Sequence, residues 1–268
     1  MERSEYDRLA ALDTRLWWFQ GLHAVMLGAL RRRLGPAADG RLILDAGCGA
    51  GGLLKSLAAA WPAANPVGLD LDPLAAALAH RASLRPAAAG SVNALPFAGA
   101  TLDAIVSADV ICHRAVDQAA SLREFHRCLK PGGILVLNLP AYRWLLSDHD
   151  RAVHNARRYT AGGVTTLLRQ AGFCRIGTSY WNMTLFPLMA ARRRVRWRSV
   201  GMPGGETPGQ DMGQEKTPTS DVALLPPPIE RLFRAIVKAE AALLRAGIKL
   251  PFGGSVVAIA VKPAENLV

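Results

Sequence analysis

The stretch "RLILDAGCGAGG", Arg41 to Gly52, decides how this chain folds. Leu42, Ile43 and Leu44 form a short apolar run suited to a buried strand. Glycines at 47, 49, 51 and 52 break it into a turn. "LLKSLAAAW", Leu53 to Trp61, continues as a helix that Pro62 closes, and "PVGLDLDP", Pro66 to Pro73, is a second strand. Strand, glycine turn, helix and strand make one βαβ unit, which places the two strands parallel.

The same alternation runs outward in both directions. Downstream, "LAAALAHRAS" is a helix, and a short strand is expected around Ser91–Val92 before the turn "LPFAGA". "LDAIVSADV" is a strand and "AASLREFHRCLK" a helix, and "PGG" turns into the strand "ILVLNL". Then come the helix "AGGVTTLLRQAG", the strand "FCRIGTSYW" and a terminal strand "SVVAIAVK". This pattern predicts an α/β fold: a Rossmann-like, parallel-dominated seven-stranded sheet with helices on both faces. Upstream, Leu9, Leu12, Leu16, Phe19, Leu22, Val25, Met26 and Leu30 recur at helical spacing until Gly35-Pro36. The organisation read from this is an N-terminal helical cap at 1–36 and an α/β core at 37–182. An inserted lid at 183–254 contains a mobile linker at 199–225, and the last strand and tail follow at 255–268.

Half of the 268 residues are apolar, enough for a sizeable core. The formal charge of +11 favours anionic partners without choosing among nucleic acid, lipid and phosphorylated compounds. Cysteines at 48, 112, 128 and 174 form no CxxC pair and no metal-ligand spacing, which fits a reducing compartment and no metal. The opening Met-Glu-Arg-Ser-Glu-Tyr-Asp lacks the basic start of a signal peptide, and no apolar run reaches the ~18 residues that span a bilayer. The expectation is a cytoplasmic protein, with peripheral membrane association as one variant of it.

Gly47-Cys48-Gly49-Ala50-Gly51-Gly52 fits GxGxxG, with Asp70 at the end of the following strand. That context suits either a nicotinamide dinucleotide or S-adenosylmethionine, since both need close backbone approach and a carboxylate for ribose hydroxyls. Asp45, just before the first glycine, separates the two. It would repel a pyrophosphate and attract a sulfonium and an ammonium.

With "LDAGCGAGG", "VGLDLDP", "GSVNALPF" and "LKPGGILVLNLP" in this order, the chain resembles a class I S-adenosylmethionine-dependent methyltransferase over residues 40–182 and 255–262. The resemblance implies that Asp45, Gly47 and Gly49 hold the methionine end of the cofactor. Asp70 takes the ribose hydroxyls, Leu71 lines the adenine, and Ser91 and Val92 follow at the adenine edge, where many relatives carry an acid. Asp109, at the end of the fourth strand, faces cofactor or acceptor, or else serves as a helix N-cap. S-adenosylhomocysteine is the implied product. Two other readings remain open: a non-catalytic S-adenosylmethionine-binding partner subunit, and an NAD-dependent dehydrogenase.

After the fourth strand stands Asp109-Val-Ile-Cys, without the Asn/Asp-Pro-Pro-Tyr of base and amide N-methyltransferases. No aromatic-laced basic patch is evident, so nucleic acid is an unlikely partner. The acceptor side is read from "NLPAYRWLLSDHDRAVHNARRYT", Asn138 to Thr160, which leaves the fifth strand at its C-terminal end. Its Pro-Ala-Tyr…Arg-Arg-Tyr-Thr pattern resembles some bacterial methyltransferases, a few tied to lipid or polysaccharide pathways. His113 and His149 are candidate bases with Asp150 orienting an imidazole. Tyr142, His154, Arg157, Arg158 and Tyr159 are candidates for acceptor binding, the arginines through phosphate or carboxylate. Trp144 is a further wall residue.

The expected activity is therefore methyl transfer to a small-molecule or lipid-linked, anionic acceptor. In the insertion, "MTLFPLMAARRRVRWR" is apolar and then basic, with Arg192, Arg193, Arg194, Arg196 and Arg198. It reads either as a helix at an anionic membrane surface or as a lid packed on the domain. The later "PPPIERLFRAIVKAEAALLRAG" is a helix predicted to bury Ile229, Leu232, Phe233, Ile236, Leu243 and Leu244. Trp17, Trp18 and Phe19 either close the cofactor pocket or pack in the core.

Overall fold

The structure is a computed structural model, and it describes residues 16–146, 150, 155–191 and 225–264. Seven strands occur in chain order: β1 (Leu42–Ala46), β2 (Asn65–Asp70), β3 (Ala87–Ala89), β4 (Leu102–Ala108), β5 (Leu129–Pro140), β6 (Cys174–Trp181) and β7 (Ser255–Val261). Between and around them lie α1 (Trp17–Leu34), α2 (Gly52–Ala60), α3 (Pro73–Ser83), α4 (Gln118–Cys128), α5 (Ala161–Gln170) and α6 (Pro227–Arg245). The sheet order is β3-β2-β1-β4-β5-β7-β6, with β7 antiparallel to both of its neighbours.

Alternation along the strands builds the two faces. Leu44, Ile105, Leu135, Leu137, Val256 and Ala258 pack under α4 and α5. Their neighbours Ile43, Val106, Ile134, Val136 and Val257 pack under α1 and α2. Because successive side chains point to opposite faces, a strand buried on both sides reads as one continuous apolar run. The strand order reverses between the parallel β1 and β4, so the crevice opens at the C-terminal ends of these strands.

Two boundaries differ from the sequence expectation. The third strand is Ala87–Ala89, and Ser91–Val92 lies just past its end. Alanines give little strand signal, so the β-branched valine drew the reading forward. The fifth strand starts at Leu129 and takes in Pro131-Gly132-Gly133 as an irregularity: Leu102 pairs Leu129, and Ala104 then pairs Ile134. Lys130 Nζ donates to Asp103 across it at 2.8 Å.

α6 packs against α1. Its buried residues are Glu230, Val237, Glu240 and Ala241, whereas Ile229, Leu232 and Leu243 of the predicted apolar face are 40%, 57% and 41% exposed. The two glutamates explain the shift. Glu230 accepts from the backbone N–H of Trp17, the first residue of α1. Glu240 accepts from the N–H groups of Met183 and Thr184 at 3.0 and 2.8 Å, just before a helical stretch at 186–191. Each carboxylate accepts from amide groups at the start of a helical stretch, where N–H groups lack an intrahelical acceptor, so a polar residue is worth burying there. Trp17 packs edge-on against Phe233 of α6, and Trp18 lies 6.1 Å from the ring of Trp181, so both join the packing of the α1–α6 layer.

No helix among the described residues is long and apolar enough to cross a membrane. The arginine run at 192–198 and the linker at 199–225, apart from Leu225, lie outside the described residues.

The α1–α6 crossing depends on Gly21, where an added Cβ would stand 2.9 Å from Val237 Cβ. Gly21→Ala gains up to about 1 kcal/mol of helix propensity but overpacks the crossing by about 1–3 kcal/mol. The expected result is a net loss of stability in urea denaturation that Val237→Ala does not restore in the double variant, since alanine keeps the Cβ that clashes.

Candidate active site

The cofactor side of the crevice is assembled by backbone. Gly47 and Cys48 N–H both donate to Leu69 O, at 2.7 and 3.0 Å, which folds the glycine loop over the end of β2. Gly49 N–H donates to Asp70 Oδ2 at 2.8 Å, while Asp70 Oδ1 accepts from Asp72 N–H at 3.0 Å. Each carboxylate oxygen keeps capacity for a further hydrogen bond. Gly90 N–H donates to Asp70 O, so Ser91 and the buried Val92 follow directly beside it. Ser91 Oγ accepts from Asn93 N–H in a local turn.

Two glycines carry separate requirements. Gly47, at φ 85°, allows the loop after β4 to close in, because a Cβ there would lie 2.2 Å from Val110 Cγ2. Gly49, at φ 51°, faces open space: a Cβ would meet nothing within 4 Å. The loop is thus pinned on one side and open on the other. Asp45 is buried in β1, in register with Gly68 of β2 and Val106 of β4. Leu71 is 66% exposed at the lip, an apolar surface in need of cover. Burial, followed by the charges of Asp45 and Asp70, pushes the Cys48 thiol far up and keeps it un-ionised.

Asp109 stands at the end of β4 with φ 55°. It is not an N-cap: α4 is capped by Asp117, which accepts from Ala119 and Ala120 N–H. Both Asp109 oxygens accept from the amide of Asn138, each at 3.1 Å. Asn138 is fully buried and in turn accepts from Trp181 Nε1 at 2.7 Å. Burial pushes the Asp109 carboxyl up to about 7; the Asn138 hydrogen bonds and the Arg158 charge pull it down, and Asp150 pushes it up.

On the acceptor side the chain from 155 to 159 threads between the loop after β4 and the end of β5. Ala156 and Arg157 N–H donate to Cys112 O, Tyr159 N–H donates to Pro140 O, and Tyr142 N–H donates to Tyr159 O. His113 pairs with Asn155 as an isolated bridge. Arg157 Nη1 donates to His113 O at 2.8 Å and Val116 O at 3.1 Å, clamping that loop. Arg158 binds Asp150 bidentately, at 2.8–3.0 Å, and donates Nη1 to Ala141 O. Both side chains of this pair are buried, 6% and 1% exposed. Tyr159 OH donates to Ile111 O or Gln118 Oε1, both at 3.1 Å, and burial raises its hydroxyl well above the usual range. Tyr142 stacks on Tyr180.

Asp45, Gly47, Gly49, Asp70, Leu71, Ser91, Val92 and Asp109 therefore gather along one edge, and His113, Asp150, Tyr142, Arg157, Arg158 and Tyr159 gather beside it. His149 and His154 lie outside the described residues. Asn138 and Trp181 were missed. The signal was an asparagine inside "ILVLNL", since a polar side chain in a central strand needs a buried partner. Among the described residues no group of His, Cys, Asp and Glu is placed to hold a metal ion.

A seven-stranded sheet of this order, with a glycine loop at its first strand and an acid at the end of its second, defines the methyltransferase variant of the Rossmann-like fold. Residues 44–137 match the family model described as a methyltransferase domain. Over that stretch the chain is similar to the class I S-adenosylmethionine-dependent methyltransferases. A malonyl-[acyl-carrier protein] O-methyltransferase of Dechloromonas aromatica is 33% identical over 140 residues, 50% of this chain and 52% of that protein. The ubiquinone/menaquinone biosynthesis C-methyltransferase UbiE of Syntrophotalea carbinolica is 40% identical over 146 residues, 50% of this chain and 59% of that protein. The chain thus spans about half to three-fifths of the length of these curated relatives. Among solved structures, a chain from the complex of the Haloferax volcanii Trm112 methyltransferase activator with a methyltransferase superposes with a TM-score of 0.58. It is 20% identical and covers 98% of this chain and 100% of that one, a likeness of fold. This likeness runs against the dehydrogenase alternative.

Two outcomes are expected here. Because the folded pKa of Asp109 is raised, the folded state holds a proton that the unfolded state releases between about pH 4 and 7. The contribution of Asp109 to stability is therefore present at low pH and lost as pH rises through that window. Asp109→Asn lacks this proton, so its stability relative to wild type should rise from pH 4 to pH 7 in urea titrations. Arg158→Ala strips Asp150 of its guanidinium and should cost about 3–5 kcal/mol of stability by denaturation.

Proposed function

We propose that the protein transfers a methyl group from S-adenosylmethionine to a small-molecule or lipid-linked acceptor that carries an anionic group. The observation that supports this most is the joined glycine loop and second-strand carboxylate: Gly49 N–H on Asp70 Oδ2, with an open face at Gly49 and a free-standing Leu71 beside them. These residues fit the cofactor. Asp45, Gly47 and Gly49 would hold its methionine end, Asp70 the ribose hydroxyls, and Leu71, Ser91 and Val92 the adenine. When bound, the cofactor supplies an electrophilic methyl group on a sulfonium.

The chain's own task is alignment and proton removal. Asp109, His113 and His149 are the groups able to take a proton from a hydroxyl, carbon or amine acceptor. Asn138 holds both oxygens of Asp109 in a fixed orientation, and Arg157 fixes the loop that carries His113. An anionic acceptor is supported by a cleft of about 470 Å³ where the N-terminal ends of α4 and α5 approach each other. Gln118, Arg143, Arg158 and Thr160 are among its lining residues. The Arg143 guanidinium and the positive end of the α5 dipole favour a carboxylate or phosphate there, while Arg158 is held by Asp150. The net charge of +11 acts in the same sense. One relative is named as a malonyl-[acyl-carrier protein] O-methyltransferase and another as a ubiquinone/menaquinone biosynthesis C-methyltransferase.

Calorimetry should show S-adenosylmethionine binding and no NAD binding. Asp70→Ala removes the ribose contact and the loop's anchor, and is expected to weaken cofactor binding by about ten- to a hundredfold. Incubation of the chain with labelled methyl donor and cell extract should yield S-adenosylhomocysteine together with a labelled product. Binding without any turnover would instead leave a non-catalytic cofactor-binding subunit.

A further inference from the structure

Beyond the ends of β5 and β6, five aromatic rings from four stretches of chain meet. Tyr180, Tyr142 and Trp144 form a near-parallel stack, with centroids 5.2 Å and 5.9 Å apart and planes inclined by 12° and 28°. Phe186 stands edge-on to Trp144 at 6.1 Å and 81°, and meets Phe252 at 5.9 Å. A core cluster would be hidden, yet Trp144 is 54% exposed, Phe252 40% and Leu188, two residues past Phe186, 62%.

The location ties the shelf to the crevice. Pro140, Ser255 and Trp181 are in register, so Tyr142, Asn182 and Phe252 lie just beyond the same edge that carries Asp70 and Asp109. Three non-glycine residues at this edge adopt left-handed backbone: Asp109 at φ 55° after β4, Tyr142 at φ 56° after β5 and Asn182 at φ 57° after β6. Such conformations are costly for L residues and collect where side chains are aimed for function. Asn182 is 4% exposed, and its Oδ1 is buried without a hydrogen-bond partner. A buried amide oxygen in that state awaits a donor.

The ring geometry narrows the ligand. Rings 5.2–6.1 Å apart touch one another, which leaves no box between them for an ammonium group. A saturated chain would gain contact area only. A fourth flat ring laid on Trp144 would extend a stack that already exists. We propose that this shelf is the acceptor subsite and that it takes a planar aromatic acceptor bearing a hydrogen-bond donor, the ring stacking on Trp144 and the donor meeting Asn182. The name acceptor rests on the methyl-transfer reading; binding to the shelf does not require the cofactor.

Calorimetry on the full chain without methyl donor tests it, using 2-naphthoate, 6-hydroxy-2-naphthoate and the non-planar decalin-2-carboxylate as probes. Trp144→Leu and Phe252→Leu keep apolar bulk, and both sites are exposed, so folding is checked simply by melting temperature. 2-Naphthoate should bind more tightly than decalin-2-carboxylate, and Trp144→Leu should weaken it by about three- to tenfold while leaving the decalin acid unchanged. The 6-hydroxyl should add affinity in the wild type and not in Asn182→Leu. Equal binding of the two skeletons, or variants that bind 2-naphthoate as the wild type does, would overturn the proposal. So would binding to phosphatidylglycerol vesicles that Trp144→Leu abolishes while no naphthoate binds, which would make the shelf a lipid contact. Cofactor binding with no naphthoate binding sinks the shelf alone; naphthoate binding with no cofactor binding sinks the methyl-transfer reading alone.

Discussion

The amide of Asn138 is the contact on which the crevice hangs. It sits in β5, in register with Ala108 of β4 and Val257 of β7, with no access to water. Its NH₂ group donates to both oxygens of Asp109 and its oxygen accepts from the indole of Trp181. One side chain therefore joins the residue that follows β4 to the last residue of β6. A buried amide is costly unless both of its ends are matched, so the positions of Asp109 and Trp181 are mutually dependent. Trp181 in turn meets Trp18, which connects the site to the N-terminal helix and, through Trp17 and Phe233, to α6.

That connection changes what the inserted helix contributes. Its two buried carboxylates hold the start of α1 and the turn at Met183–Thr184. α6 is a strut: by fixing the turn after β6 it fixes Asn182 and the helical stretch that carries Phe186. The stretch at 183–191 stands at the crevice, with Leu185 buried, Phe186 among the other rings and Leu188 exposed.

Local pattern made the sheet and the cofactor edge legible. The glycine loop, Asp70 and Asp45 are separated by few residues, and their positions follow from strand ends and a turn that can be seen in the chain itself. What failed to show was decided by partners far away in sequence. Helical spacing correctly located α6 but not which side it buries, because Glu230 and Glu240 are matched to amides over 200 and over 50 residues distant. Hydropathy cannot register such matches and assigned the interior to Ile229, Leu232 and Leu243. Asp150, Arg157 and Arg158 stand close together in the sequence and read as candidates for orienting a base and binding an acceptor. Their local purpose was invisible, since a bidentate ion pair and a carbonyl clamp have the same residues as an anion site.

The ion pair also bears on the chemistry. Arg158 and Asp150 are close enough to Asp109 to move its proton affinity in opposite senses, and Asn138 holds its carboxylate without neutralising it. Desolvation is the largest influence, and it leaves the group close to neutrality near physiological pH. A carboxylate at the protein surface would be a weaker base there, and one locked to an arginine would be weaker still. Pairing Arg158 with Asp150 instead of Asp109 braces the segment 155–159 against Ala141 and leaves burial as the largest influence on the Asp109 carboxyl.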